Sequence, residues 1–200
     1  MTYETRNQSA IASLDPAAAV KVRQLLEHLE EIGEDVLITD GTRTIAQQNA
    51  LYAQGRTKPG RIVTNASGNN SLHVHGVAID IVPVGPLGIP LSKRYLLEWA
   101  ALHRYKNIAS IAKQLGFEWG GDWTSFPDKP HLQYTQGLTL AQFKSGRKLD
   151  LTRARNEWRS DLQKRLAKMD HAIASPAVTE ERKAKLRTAR RELQAKIDRI

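Results

Sequence analysis

Two histidines stand just ahead of an apolar, β-branched run in the stretch SLHVHGVAIDIV, residues 71 to 82, which Pro83 closes. One carboxylate, Asp80, interrupts that run. Side chains alternate along a strand, so Val77, Ile79 and Ile81 share one face. Gly76, Ala78, Asp80 and Val82 share the other, and the small residues leave room beside the carboxylate. An unpaired buried carboxylate is costly, so Asp80 needs an arginine, a lysine or a metal ion. A second short run, HLQYT from His131, puts His131, Gln133 and Thr135 on one face of a strand, with Pro130 acceptable at its start. Two histidines and one carboxylate make a catalytic zinc set with a fourth position left for water. Asp128, three residues before His131, is a spare carboxylate suited to general-base work. Spacing alone leaves the bland alternatives open: Asp80 as a salt-bridged or turn residue, and His131 as a surface or satisfied core histidine. This pattern is much less diagnostic than a helical His-Glu-x-x-His.

The elements around these residues read as a small α+β domain. Asp15-Pro16 is an N-cap followed by proline at the first helical position. Val20, Leu25, Leu26, Leu29 and Ile32 mark a helical face that Gly33 ends. DVLIT, residues 35 to 39, is a short strand. Thr44 and Gln47 form a capping box that opens a helix stopped by Gly55. Residues 55 to 70 are a loop by their Gly, Pro, Asn and Ser content, with a short strand expected at Arg61 to Thr64. Residues 92 to 115 read as helix, with a break near Arg104 to Asn107. FEWGGDWTSFPDKP, residues 117 to 130, is a loop in which one of Trp119 and Trp123 fills core and the other walls a cleft. Few strands interleaved with helices favour α+β over a doubly wound sheet.

Composition sets the limits. The 200 residues are 40% apolar and 26% charged, and none is cysteine. That excludes disulfides and thiolate zinc sites. No stretch approaches the roughly 20 apolar residues of a membrane-spanning helix. Met1 to Asn7 is polar and lacks the apolar core of a signal peptide, so the expectation is a chain made in the cytoplasm. Charge is uneven: residues 1 to 150 carry 16 Lys/Arg against 14 Asp/Glu, net +2, and residues 151 to 200 carry 14 against 7, net +7. Two parts follow, a nearly neutral domain over 1–150 and a basic tail over 151–200.

SLHVHGVAID resembles the S-x-H-x-x-G-x-A-x-D motif of zinc D-alanyl-D-alanine carboxypeptidases and phage L-alanyl-D-glutamate endopeptidases. EWGGDWTSFPDKPHLQ, residues 118 to 133, resembles the second motif of the phage endolysin branch. GTRTIAQQNALYAQGRTKPGRIVTNA, residues 41 to 66, is similar to that branch's stretch after its first strand. The resemblance covers roughly residues 15 to 147. It implies a small central antiparallel sheet with helices around a zinc cleft, of the D-Ala-D-Ala carboxypeptidase/Hedgehog-like kind. It implies that His73, Asp80 and His131 bind Zn2+, that Asp128 is the catalytic base, and that Arg43 stabilises the transition state. Gln48 and Ser71 fall at substrate-contacting positions. The implied activity is hydrolysis of peptidoglycan stem peptides at the L-Ala–D-Glu bond by a phage endolysin, a monomer released from the host cytoplasm onto the wall. The alternatives are a D-alanyl-D-alanine carboxypeptidase and a non-catalytic, zinc-stabilised module that binds cell wall or nucleic acid. The chain departs from the family at Thr42, where tyrosine is usual, and at Val74-His75, where Asn-Tyr is usual. His75 is therefore a rival to His73. Motif register and strand parity both favour His73, leaving His75 a supporting or structural residue.

In the tail, Trp158, Leu162, Leu166, Met169 and Ile173 recur at helical spacing, as do Leu186, Leu193, Ile197 and Ile200. Ser175-Pro176 breaks the two helices, and Thr179 caps the second. A basic amphipathic hairpin of this kind packs on itself or on the domain, or meets an anionic bacterial envelope. Neither helix carries a nucleic-acid reading motif, so a nucleic-acid partner is not expected.

Overall fold

In the computed structural model, residues 3–85 and 99–200 are described. The chain forms two compact units, 1–150 and 151–200.

Three helices and two strands make up the first half of unit 1: α1 (Tyr3–Ala12), α2 (Pro16–Glu31), β1 (Val36–Asp40), α3 (Ile45–Ala53) and β2 (Ala78–Pro83). Then come α4 (Trp99–Gln114), β3 (Glu118–Trp119), β4 (His131–Gln133) and the short α5 (Leu140–Lys144). The strands form an antiparallel sheet in the order β1-β2-β4-β3, so the architecture is α+β. Both expected caps are present. The Asp15 carboxylate accepts from the Ala17 amide with Pro16 at the first helical position, and Thr44 and Gln47 close a reciprocal capping box.

The core lies between the sheet and the helices. β2 is a central strand and is buried along both faces except at Asp80, which is half-buried. On α2 the buried stripe runs through Ala18, Val22, Leu25 and Leu29. The expected face included Ile32, but the helix ends before it, and Ile32 stands exposed at the C-cap. The expected break at Arg104–Asn107 does not occur. Tyr105, Ile108 and Ala112 form a buried stripe at three- and four-residue spacing, and the Tyr105 hydroxyl donates to the Ile81 carbonyl at 3.2 Å. Residues 92–98, where the helix was expected to start, lie outside the described residues. Arg61–Thr64 is irregular chain and not the strand expected from its composition.

Two elements had no clear sequence signal. β3 is two residues long and sits inside a stretch that reads as loop. α1 has little amphipathic pattern; it buries Ile11, and its polar Asn7 ties it to the sheet. Asn7 is buried; its amide nitrogen donates to the Val36 carbonyl at 2.8 Å, and its oxygen accepts from the Ile38 amide at 2.7 Å. β1 is the edge of the sheet, and an edge exposes unpaired backbone groups that invite further strand pairing. Asn7 satisfies two of them.

Unit 2 is a helical pair, α6 (Leu151–Ala174) and α7 (Glu180–Ile197), with Thr179 accepting from the Arg182 amide as the N-cap of α7. Asp170 pairs with Arg190, and Lys196 lies over the Trp158 ring, so the helices run antiparallel. Trp158, Leu162, Leu193 and Ile197 are buried.

Asn7→Ala leaves the Val36 carbonyl and the Ile38 amide without partners. Urea denaturation should show a loss of about 1–3 kcal/mol, the cost of leaving buried polar groups unmade. An unchanged midpoint would mean the edge is satisfied in another way.

Candidate metal centre

β2 pairs with β1 on one side and β4 on the other, and the register places Asp40, Asp80 and His131 in one row across three strands. The β1 register shifts between Ile38 and Asp40; such bulges re-aim side chains and recur beside functional sites. His73 joins the row from outside the sheet. It lies in a 3₁₀ turn, Leu72–His75, which Gly76 ends in a left-handed conformation at φ 71°. A Cβ on Gly76 would come within 2.9 Å of the Asp15 backbone nitrogen. The turn is therefore pressed against the start of α2 at a position that glycine alone fits without strain.

The three side chains converge. His73 Nε2 lies 3.2 Å from His131 Nδ1 and 3.3 Å from Asp80 Oδ1, and His131 Nδ1 lies 3.2 Å from Asp80 Oδ1. One candidate ligand atom from each of the three residues fits within 4.8 Å of the others. Such a triangle of acceptors attracts positive charge, either protons on the imidazoles or a metal ion. His73 Nδ1 donates to the Gly41 carbonyl at 2.8 Å, which leaves the Nε2 lone pair directed at the cluster. Nitrogen and oxygen donors in this number suit a tetrahedral site with one open position, so the residues present fit such an ion.

Electrostatics follow the geometry. Burial pushes the Asp80 carboxyl up, but hydrogen bonds and charge from His131 and His73 outweigh it and hold the group well below the usual carboxylate range. Burial pushes His131 down, and the hydrogen bond and charge of Asp80 overcome that and raise it. Asp128 is raised, first by burial and then by the negative charge of Asp80.

Arg43 holds the other oxygen of Asp80. Its Nη2 donates to Asp80 Oδ2 at 2.6 Å, its Nε to Asp40 Oδ2 at 2.7 Å, and its Nη1 to Gln48 Oε1 at 3.2 Å. Among the described residues, two of its five N–H groups make no hydrogen bond. Gln48 is fully buried, and its Nε2 donates to the Ala66 carbonyl at 2.7 Å. Its amide thus works on Arg43 and the 64–66 loop and has no exposed face toward a cleft. Ser71 is buried between the two 3₁₀ turns Gly68–Asn70 and Leu72–His75.

Asp128 is placed by backbone. Its amide donates to the Gly120 carbonyl at 2.9 Å, and its carbonyl accepts from the His131 amide at 3.2 Å. The charges it senses, Asp80, His131, His73 and Arg43, are those of the cluster. A Cβ on Gly120 would meet the Asp128 carbonyl oxygen at 2.6 Å and His131 Cβ at 3.0 Å. Gly120 was visible in the sequence as a loop glycine, but its close approach to Asp128 and His131 was not. Trp119 is buried and donates from Nε1 to the Lys129 carbonyl at 2.7 Å, whereas Trp123 is partly exposed, with its ring 5.0 Å from that of His131. One tryptophan therefore builds the loop and the other borders the site.

His75 stands outside the cluster. It stacks on Phe143 with ring centroids 5.8 Å apart, and Nε2 lies 3.2 Å from the Asn69 carbonyl. The parity of a strand does not separate it from His73, because residues 72–75 are a 3₁₀ turn. In that turn residues two apart lie about 120° apart around the axis.

Residues 64–134 match the peptidase M15 family described as D-alanyl-D-alanine carboxypeptidase. The chain is similar to the peptidoglycan L-alanyl-D-glutamate endopeptidase CwlK of Bacillus subtilis strain 168, with 46% identity over 102 residues, 50% of this chain and 61% of that protein. It is similar to the L-alanyl-D-glutamate peptidase of Listeria phage A118, with 34% identity over 134 residues, 66% of this chain and 42% of that protein. The chain thus spans about half the length of the curated relatives it matches. Among solved structures, the L-Ala D-Glu endopeptidase ChiX of Serratia marcescens aligns over 65% of this chain and 86% of its own, with 23% identity and a TM-score of 0.47. Over the matched residues the chain is similar to M15 peptidases.

His73→Ala, Asp80→Ala and His131→Ala should each abolish binding of a divalent transition ion, and His75→Ala should retain it. Metal content after dialysis, measured by mass spectrometry, checks this. Full occupancy in the three cluster variants would remove the site.

Proposed function

We propose that the chain is a zinc peptidase that hydrolyses peptidoglycan stem peptides at the L-Ala–D-Glu bond. The observation that carries this reading is the convergence of His73, Asp80 and His131, with Asp128 near enough to feel their charges without being part of the cluster. A purely structural metal site needs no spare carboxylate. The L-alanyl-D-glutamate specificity in the names of the Bacillus and phage relatives supports the choice of bond.

His73 Nε2, Asp80 Oδ1 and His131 Nδ1 would hold the ion. When bound, zinc supplies Lewis acidity toward a carbonyl oxygen and a water molecule. Asp128 takes the proton from the attacking water at its carboxylate and returns it to the leaving amine. Its upward shift suits a group that must both accept and release a proton. The remaining N–H groups of Arg43 face the charge that develops on the carbonyl oxygen. Gln48 acts through Arg43 by fixing its guanidinium. Ser71 contacts the substrate beside His73.

The biological setting in this reading is phage-driven lysis, with the enzyme held in the host cytoplasm until it is released onto the wall, acting as a monomer. The phage relative supports that setting; the Bacillus relative allows a bacterial wall enzyme of the same specificity. In unit 2, Arg155, Lys164 and Lys168 are exposed on α6, within a segment of net charge +7. We read it as an electrostatic anchor to the anionic envelope.

Digestion of purified sacculi followed by mass spectrometry of the muropeptides tests the reaction. Fragments with a new amino-terminal D-glutamate are expected. Release of terminal D-alanine alone would establish the carboxypeptidase alternative instead. Asp128→Asn should keep its zinc and its fold and lose hydrolysis by about 10²-fold or more, the scale of a lost general base. Turnover near that of the wild type would take the role away from Asp128.

The anchor has its own signature. The Debye length falls from about 10 Å at 0.1 M salt to about 3 Å at 1 M, so envelope binding by the full chain should weaken steeply over that range. Arg155→Glu/Lys164→Glu/Lys168→Glu should weaken it at low salt without altering cleavage of small soluble stem peptides. Salt-insensitive pull-down with sacculi or anionic vesicles would eliminate the anchor.

A further inference from the structure

We propose that Gln133, oriented by Glu118, is a positioning residue that fixes His131 in the tautomer able to bind the metal ion. This rests on the metal-peptidase reading above and concerns residues to which that reading gives no role.

His131 must offer a lone pair at Nδ1, the atom that faces His73 and Asp80, so its ring proton must reside on Nε2. Nε2 lies 3.1 Å from Gln133 Oε1. A side-chain amide, however, has two faces. Turned over, it would present its NH2 to Nε2, force the proton onto Nδ1 and block the ligand atom. What decides the orientation is Glu118. β3 pairs with β4 so that Glu118 and Gln133 are directly opposite, and Gln133 Nε2 donates to Glu118 Oε2 at 3.0 Å. A carboxylate only accepts, so a turned Gln133 would set oxygen against oxygen. The Thr135 hydroxyl donates to Glu118 Oε1 at 2.8 Å, which holds the carboxylate in place. The direction of donation therefore runs without a break: His131 Nε2–H to Gln133, Gln133 NH2 to Glu118, Thr135 O–H to Glu118. β3 is only two residues long, and this pairing gives it a purpose.

The chain of donors can be inverted in composition and kept in direction. In Glu118→Gln/Gln133→Glu, the new carboxylate at 133 still accepts from Nε2–H, the new amide at 118 donates to it, and the amide oxygen at 118 still accepts from Thr135. A residue that merely filled space would not be rescued by that exchange.

The experiment uses the full chain with zinc alone. Zinc affinity is measured by competition with a chromophoric chelator, and the His131 tautomer by ring nitrogen-15 spectra of the zinc-free protein at a pH where imidazole is neutral. Gln133→Leu should weaken zinc by about 10- to 100-fold, the usual cost of losing an outer partner of a metal-bound histidine, and should mix the two tautomers. The exchanged double variant should recover most of the affinity and the Nε2–H signature. Glu118→Ala alters an exposed side chain and should weaken zinc and mix the tautomers even if Gln133→Leu fails to fold. Wild-type affinity with a pure Nε2–H tautomer in Glu118→Ala and in any folded Gln133→Leu overturns the proposal and leaves the metal-peptidase reading standing. A wild-type chain that takes no zinc overturns both.

Discussion

Two carboxylates stand opposite one another across β1 and β2, and Arg43 lies between them. Like charges directly opposite in a sheet repel, and Asp80 is largely removed from water, so this row could not form without a cation. The planar guanidinium reaches Asp40 through Nε and Asp80 through Nη2 at once. A lysine, as a single point charge, could not reproduce that fork. Removing Arg43 from its largely buried pair with Asp80 would leave an uncompensated charge, at a cost of about 3–5 kcal/mol, whereas the more exposed Asp40 contributes less. The Asp40–Arg43–Asp80 bridge is thus a condition of the strand register as much as of the site.

The same bridge decides how Asp80 can act as a ligand. Oδ2 is occupied by Arg43, so only Oδ1 is left for the histidines, and the carboxylate offers one oxygen instead of two. Gln48 fixes Arg43 in turn, and the Ala66 carbonyl fixes Gln48. Each ligand is therefore aimed by a partner that is itself held: Asp80 by Arg43, His73 by the Gly41 carbonyl, and His131 by Gln133. A site assembled from a central strand, its neighbour and a 3₁₀ turn gains its rigidity from these partners, because the turn alone has little regular hydrogen bonding.

Much of this arrangement was legible in the sequence. The apolar run of β2, broken once by Asp80, has few explanations, and the caps at Asp15-Pro16 and Thr44-Gln47 are local signals that tertiary structure did not override. Other features were not legible, for identifiable reasons. α1 is held by Asn7 through contacts 29 and 31 residues away, and no local pattern reports such a bond. β3 is too short for alternation to show. The parity argument for His73 assumed a strand where the chain turns, although the register of the motif still selected the residue now found in the cluster. Arg43 and Gln48 were expected to face substrate. Their geometry adds a task that a list of residue types cannot reveal, since it lies in which N–H meets which oxygen.

In the proposed reaction, Asp80 and Asp128 are one residue type with two roles in one site. Hydrogen bonds and charge from His131 and His73 outweigh the burial of Asp80 and hold its carboxyl well below the usual carboxylate range, while Arg43 donates to its other oxygen. Asp128 has its backbone tied to Gly120 and His131, while among the described residues its carboxylate has no hydrogen-bond partner. Burial and the neighbouring charge of Asp80 then push it up. A ligand must stay ionised, whereas a base that accepts and returns a proton must not hold its charge too firmly. In that reading, the close seat that Gly120 provides serves the second requirement. It fixes the position of Asp128 through the main chain and so leaves the side chain unpaired, which an arginine or a backbone donor at the carboxylate would have prevented.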